Sequence, residues 1–205
     1  MDTAGIKLLC ELAEVRTGYP FRGGVDRVRE GGCLLVQAGN IDSEAGGLVG
    51  EPARIERPGN MEDHALRGGD VLMVGRGPRN DAAAFTWERT DVLAASYLIV
   101  VRAKGSVHAG FLNWFLNLPA TQARIRAMRS ESTVPFVAVE ALRRLRVPVP
   151  SAEVQEKVAK LHELNMREQE LLRKIGERRR VLMDALLKQA VGVEQEQTER
   201  TEKAN

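Results

Sequence analysis

Catalysis needs nucleophiles, acids, bases or metal ligands at defined spacings, and this 205-residue chain offers few of them. Its three histidines, His64, His108 and His162, are scattered, and none pairs with a cysteine or carboxylate at ligand spacing. The stretch GRGPRN (75–80) is glycine-rich but lacks both the Gly-Lys-Ser/Thr ending of a phosphate loop and the GxGxxG spacing of a dinucleotide site. Neither a GxSxG elbow nor an HExxH helix occurs. Glu62 and Asp63 fall in a charged loop that reads as solvated surface. Gln155-Glu156-Lys157 stands in the first turns of a long helical pattern, not on a strand as the carboxylate–lysine pair of a nuclease would. His162, further along the same pattern, reads as a solvated helix residue. The expectation is a chain with no catalytic residues, no metal site and no cofactor of its own.

The loops do carry groups suited to a nucleic acid. Arg16, Thr17, Tyr19 and Arg22 surround the first turn, and Gln37 and Asn40 flank the second. Arg76, Arg79 and Asn80 crowd the third. Arg124, Arg126, Arg129, Ser130, Ser132 and Thr133 gather further on. Arginine reads guanine edges, Asn and Gln read adenine, and hydroxyls and arginine hold phosphate. Most soluble domains have such residues in their loops, so an ordinary solvated surface fits them too. Arg67-Gly68-Gly69-Asp70, ahead of VLMV, reads as a turn entering a strand and not as a contact site.

Composition narrows the classes. Hydrophobic residues make up 43% and charged residues 28%, as in ordinary globular domains. Aromatics at 4% offer no stacking platform for sugars or RNA. Thirty basic against 28 acidic residues leave a net charge of +2, which neither demands nor excludes a polyanion. Arg far outnumbers Lys, which suits phosphate and guanine recognition and equally suits a GC-rich genome. Cys10 and Cys33, too few for a disulfide scaffold, point to a reducing cytoplasm. No apolar run has signal-peptide or transmembrane length, so no membrane partner is expected.

The elements that would position these loops are set by pattern. CLLVQA (33–38), VLMVG (71–75) and SYLIVVRA (96–103) are short apolar runs bounded by turn signals and read as strands. FLNWFLNLPATQARIRAM (111–128) has helical spacing broken into two helices at Pro119. TVPFVAV (133–139) reads as extended and EALRRL (140–145) as a short helix. In RVPVP (146–150) two prolines fix φ and stiffen an extended joint, and Ser151 is a suitable N-cap for a helix starting there. Together these give an α+β fold: a globular domain over 1–150, a long helix over 151–190, and a disordered polar tail over 191–205.

A heptad runs through the helix. One seam position holds Val154, Leu161, Glu168, Ile175 and Leu182, and the other holds Val158, Asn165, Leu172, Arg179 and Leu186. Seven of these ten are apolar, and a helix of roughly 38 residues would be about 57 Å long. Such a rod needs cover: a partner helix, which its length favours, or its own domain folded back against it. Asn165, Glu168 and Arg179 would then fix register and partner number.

In this order the landmarks resemble one half of a specificity subunit of type I restriction–modification systems, from Leu8 to about Ala190. LCELAEVRTGYPFRGG (9–24) is similar to the family's opening, with Gly18 in its loop, and VQAGNID (36–42) to the strand and loop ending in an Asn–Ile pair. LRGGDVLMVGRG (66–77) resembles the L-x-x-G-D turn, and STVPFVAVEALRRLRVPVPSAEVQEKVAKL (132–161) the closing Val-Pro run, paired prolines and Gln-containing helix. The usual subunit has two recognition domains and two long helices, whereas this chain has one of each. The resemblance therefore implies a homodimer joined through the helix, with closed two-fold symmetry reading one half-site twice, inverted. It implies double-stranded DNA, an adenine methyltransferase subunit and, where one exists, a restriction subunit as partners. S-adenosylmethionine chemistry would belong to the methyltransferase. A decoy that occupies the methyltransferase and a coiled-coil scaffold without DNA binding are the alternatives.

Overall fold

A computed structural model describes residues 5–21, 28–43 and 47–191, so Arg22 and the expected tail after Val191 lie outside it. The chain opens with β1 (Gly5–Leu8), α1 (Leu9–Leu12) and β2 (Ala13–Thr17), then β3 (Cys33–Val36) and a 3-10 turn at Ala38–Asn40. Next come β4 (Ile41–Asp42), β5 (Gly47–Leu48), β6 (Ala53–Ile55), α2 (Met61–His64), β7 (Asp70–Val74), β8 (Ala82–Ala84), β9 (Val92–Ala94) and β10 (Leu98–Ala103). The order ends with α3 (Ala109–Asn117), α4 (Pro119–Ala127), α5 (Val139–Arg143), β11 (Arg146–Val149) and α6 (Ala152–Ala190). Pro119 starts the second helix of its pair at N1, where its missing N–H costs nothing.

Apolar runs without alternation need cover on both faces, and β7 and β10 have it. They are central in an antiparallel sheet ordered β2-β10-β7-β8. Val71, Met73, Ile99 and Val101 point to one side, into a core with Phe111, Leu112, Phe115 and Leu116 of α3 and Ile125 of α4. Leu72, Val74, Leu98 and Val100 point to the other, against Val36, Val92 and Ala94 of a second sheet ordered β6-β3-β9. That second sheet buries Cys33, Leu35 and Leu93 on its outer face under Met61 of α2. The result is an α+β layering of helices, sheet, sheet and α2.

One charge is built into these layers. Asp70 is 1% exposed and takes a bidentate grip from Arg102 on the neighbouring strand, at 2.7 and 2.8 Å. Its Oδ2 also accepts the Arg67 N–H, closing the turn before β7, and Arg102 reaches on to the Ala65 carbonyl. The Asp70 hydrogen bonds raise the Arg102 pKa above its ordinary value. The Arg67–Asp70 turn is thus also the anchor of a buried ion pair.

The proline joint is half of a two-stranded ribbon. β11 pairs antiparallel with β1, with Lys7 opposite Val147 and Ile6 opposite Pro148. Leu9 N–H donates to the Leu145 carbonyl in the same register, so hydrogen-bonded pairs fall at odd positions of β11. Pro148 therefore turns its nitrogen to the free edge, where a missing donor breaks no ladder bond.

The chain divides into two compact units, Met1–Met166 and Arg167–Asn205, so the first turns of α6 belong to the globular unit. Gln155 is 4% exposed; its Oε1 accepts the His108 N–H at 2.9 Å and its Nε2 donates to the Pro150 carbonyl at 2.9 Å. One turn on, Ala159 lies so close to α3 that a Cβ on Gly110 would stand 2.9 Å from the Ala159 methyl, so Gly110 is needed there. Val158, expected on the rod's free seam, packs instead against the core of its own domain. His162 corrects another expectation: it is half-buried, and Asn113 Nδ2 donates to its Nε2 at 3.2 Å. In the second unit, residues 167–190 hold surface ion pairs such as Arg173–Glu177 and Lys174–Glu170.

Burial holds the His162 imidazole below its ordinary pKa of 6.5. A depressed histidine pKa favours the folded chain above the unfolded value, and that stability is lost as pH falls, because the unfolded chain takes the proton first. Urea denaturation between pH 7.5 and 5 should show stability falling below about pH 6.5. His162→Gln, which keeps an acceptor for Asn113, should lessen that slope; an unchanged slope would remove His162 as its source.

Candidate nucleic-acid interface

The third loop, residues 75–80, emerges from the end of β7 and is laced to the segment after α4. Val137 N–H donates to the Gly75 carbonyl at 2.8 Å and Gly77 N–H to the Pro135 carbonyl at 3.0 Å. Isolated antiparallel bridges pair Arg76 with Phe136 and Arg129 with Val137. Arg129 clasps the loop, its guanidinium donating to the carbonyls of Gly77 and Pro78. Ser130 N–H bonds the Phe136 carbonyl, Ser132 Oγ donates to the Val134 carbonyl, and the Ser130 and Ser132 hydroxyls meet at 2.9 Å. Two stretches about fifty residues apart in sequence thus form one surface.

A cleft of about 400 Å³ opens along it, lined by Thr17, Arg76, Ser96, Tyr97 and Phe136 among others. At this surface Arg76, Arg79, Ser132 and Thr133 are exposed. Arg79 pairs with Asp81 at 3.3 Å, whereas Arg76 has no ion-pair partner among the described residues. Val134 and Phe136, 46% and 42% exposed, put apolar surface between the cations. Gln122 of α4 donates to the Asn80 carbonyl at 3.0 Å and ties to this loop the helix that carries exposed Arg124 and Arg126.

Several residues with recognition chemistry spend it inside the fold. Asn80 is 2% exposed and donates to the Val74 carbonyl, so it ends β7 and is withdrawn from the surface. Arg129 is committed to its clasp. Arg16 donates to the carbonyls of Thr17 and His64, and burial together with nearby Arg102 lowers its pKa. Tyr19 donates to Asn60 Oδ1 at 2.8 Å and packs edge-on against Phe21 and His64. Asn40 accepts the Gln37 N–H and donates to the Val49 carbonyl, fixing the second turn. Gln37 stands half-buried beside it. Of the first turn's described residues, Thr17 alone is placed on the cleft.

Sequence reasoning missed Ser96, Tyr97 and Phe136 as lining residues of the cleft, Val134 as exposed surface beside them, and Gln122 as a support of the 75–80 loop. Only the contact between the 75–80 loop and residues 129–137 brings them together, and no local pattern announces it. Among the described residues, no group of three His, Cys, Asp or Glu could hold a metal, and no helix is long and apolar enough to cross a membrane.

No protein-family model matches the sequence, and no curated protein matches it. Solved structures do share its fold. The chain aligns with one of a type I R-M system, from work on that system's complex assembly and conformational transition, at TM-score 0.64 and 15% identity. The alignment covers 90% of this chain and 43% of that one. An HsdS subunit from Thermoanaerobacter tengcongensis aligns at TM-score 0.56 and 16% identity, over 84% of this chain and 40% of that one. The S subunit of a type I restriction-modification system from M. genitalium aligns at 0.61 and 15%, over 89% and 44%. The α+β domain and long helix are thus a fold found in type I specificity subunits, and the chain spans about two fifths of their length.

Arg129→Ala removes both donors from the Gly77 and Pro78 carbonyls and should cost about 1–2 kcal/mol. Amide hydrogen exchange should accelerate across residues 75–80 and 129–137 and remain unchanged in β7 and β10. Unaltered exchange in those two segments would show that the clasp does not hold the loop.

Proposed function

We propose that the chain is a DNA-specificity subunit: it binds a duplex through its globular unit, self-associates through α6, and directs a partner adenine methyltransferase to the site. The observation that carries this reading is the fold shared with type I specificity subunits over 84–90% of the chain. Two features of the chain support it. The laced 75–80 and 129–137 surface exposes Arg76, Arg79, Ser132 and Thr133, with Arg76 on the wall of a cleft, and these are groups that phosphate and base-edge contacts use. The helix leaves Leu161, Leu172, Ile175, Leu182 and Leu186 between 50% and 68% exposed, a stripe that calls for a second helix.

Closed pairing of two copies sets two identical readers on one duplex, so the target is a bipartite inverted repeat. Methyl transfer, its S-adenosylmethionine and any cleavage belong to methyltransferase and restriction subunits, and the chain works in the cytoplasm as a non-catalytic partner. Dimerisation rests on Leu161, Asn165, Leu172, Ile175, Leu182 and Leu186, with Val154 and Val158 nearer the globular unit.

The test starts from a duplex selected from a randomised pool. Arg76→Ala and Arg79→Ala should each weaken binding by roughly tenfold, lower the slope of log affinity against log salt, and leave sedimentation unchanged. Binding as tight as the original chain at matched salt for both variants would remove this loop as the reader. No salt-dependent DNA binding at all would favour a coiled-coil scaffold over a specificity subunit.

A further inference from the structure

Two charges stand in the apolar stripe of α6. Glu168 has Leu164, Asn165, Leu171 and Leu172 three and four residues away along the helix, so no cation is within intrahelical reach. Arg179 has Ile175, Gly176, Leu182 and Met183 at those spacings, so no acid is. Other charges of this stretch, such as Arg167 and Lys174 with Glu170, do find partners one turn away. Glu168 and Arg179 have no ion-pair partner among the described residues, and unlike the other unpaired charges of this stretch, Arg178, Arg180, Asp184 and Lys188, they lie on the heptad seam. Both occupy seam positions, where a partner helix would press on them.

A second copy of this chain supplies the missing partners in one arrangement only. In a parallel, in-register pair each seam residue meets its own counterpart, so Glu168 faces Glu168 and Arg179 faces Arg179, giving two like-charge layers. In an antiparallel pair whose two-fold axis falls between Arg173 and Lys174, Glu168 of each copy meets Arg179 of the other. The same register sets Leu172 on Ile175 and Leu161 on Leu186, leaving Asn165 against Leu182, twice by symmetry, as its mismatched layers. A slip of one heptad in one direction sets Glu168 on Leu172 and Arg179 on Leu161. A slip in the other sets Glu168 on Leu186 and Arg179 on Ile175. Either slip buries four charges against apolar side chains, counting both copies.

We propose that α6 self-associates antiparallel in this single register, locked by two symmetric Glu168–Arg179 pairs and spanning Leu161 to Leu186. The proposal rests on the antiparallel self-association that the specificity-subunit reading implies for α6, and adds its register and the charge pair that sets it. The seam is about 38 Å long and begins just past Val158, which is already spent on its own domain.

Charge reversal tests it on the full chain by sedimentation. Glu168→Arg gives a chain with cations at both lock positions, and Arg179→Glu a chain with anions at both. Each alone turns two attractive layers into repulsive ones and should weaken homodimerisation roughly 30-fold. Mixing the two variants should restore a tight heterodimer, as should combining both changes in one chain, and circular dichroism checks that each variant keeps its helix. A monomeric original chain at micromolar concentration would sink the dimer reading itself. A dimeric original chain whose single variants dimerise equally well, or whose mixture shows no preference for heterodimer, would overturn the register alone.

Discussion

The buried amide of Gln155 is the contact on which the junction between the globular domain and the start of α6 depends. It is nearly out of solvent, so both ends of its side chain need partners, and they find them in the His108 N–H and the Pro150 carbonyl. His108 also caps α3 by accepting the Gly110 N–H, so one short stretch starts that helix and receives the other. Pro150 stands next to a strand held by β1, and Ala159 closes on Gly110 a turn later. A hydrogen-bonded amide, a proline-stiffened strand and a glycine-sized gap thus fix where α6 begins.

The layers around this junction obey one constraint, the two-sided burial of β7 and β10. Strands covered on both faces carry no surface chemistry, so recognition groups are pushed to the loops at their ends. Asp70 is the exception that proves costly to move, since removing it would strand Arg102 and open the turn into β7. The loop at the far end of β7 carries Arg76 and Arg79, and its geometry comes from the returning 129–137 segment. The buried ion pair and the exposed arginines therefore stand at the two ends of one strand.

Much of the fold was legible in the sequence, and the reason is local. Apolar runs marked β3, β7 and β10, Pro119 marked the break between α3 and α4, and the heptad marked α6. Short strands such as β8, three alanines, and β9 carry too little pattern to be read, because their place is fixed by pairing with distant strands. The landmarks behind the family resemblance turn out to be scaffold residues. A Cβ at Gly18 would lie 2.1 Å from the Ala95 carbonyl oxygen, Asn40 ties its own turn, and Asp70 and Gln155 satisfy buried partners. The candidate site was less legible because residue type does not reveal commitment. Arg129, Asn80 and Tyr19 have recognition chemistry and use it internally, while Phe136 and Tyr97 reach the cleft unannounced.

Exposed arginines on the globular unit and an exposed apolar seam on α6 are the physical case for the proposed pair of readers on one duplex. The most direct measurement of that claim is a map of methylated adenines in cells carrying this protein with a candidate methyltransferase, compared with cells lacking the protein. An interrupted motif with two inverted, identical halves, lost when the protein is removed, is the expected result. Methylation that persists without the protein, or a motif whose halves differ, would contradict it.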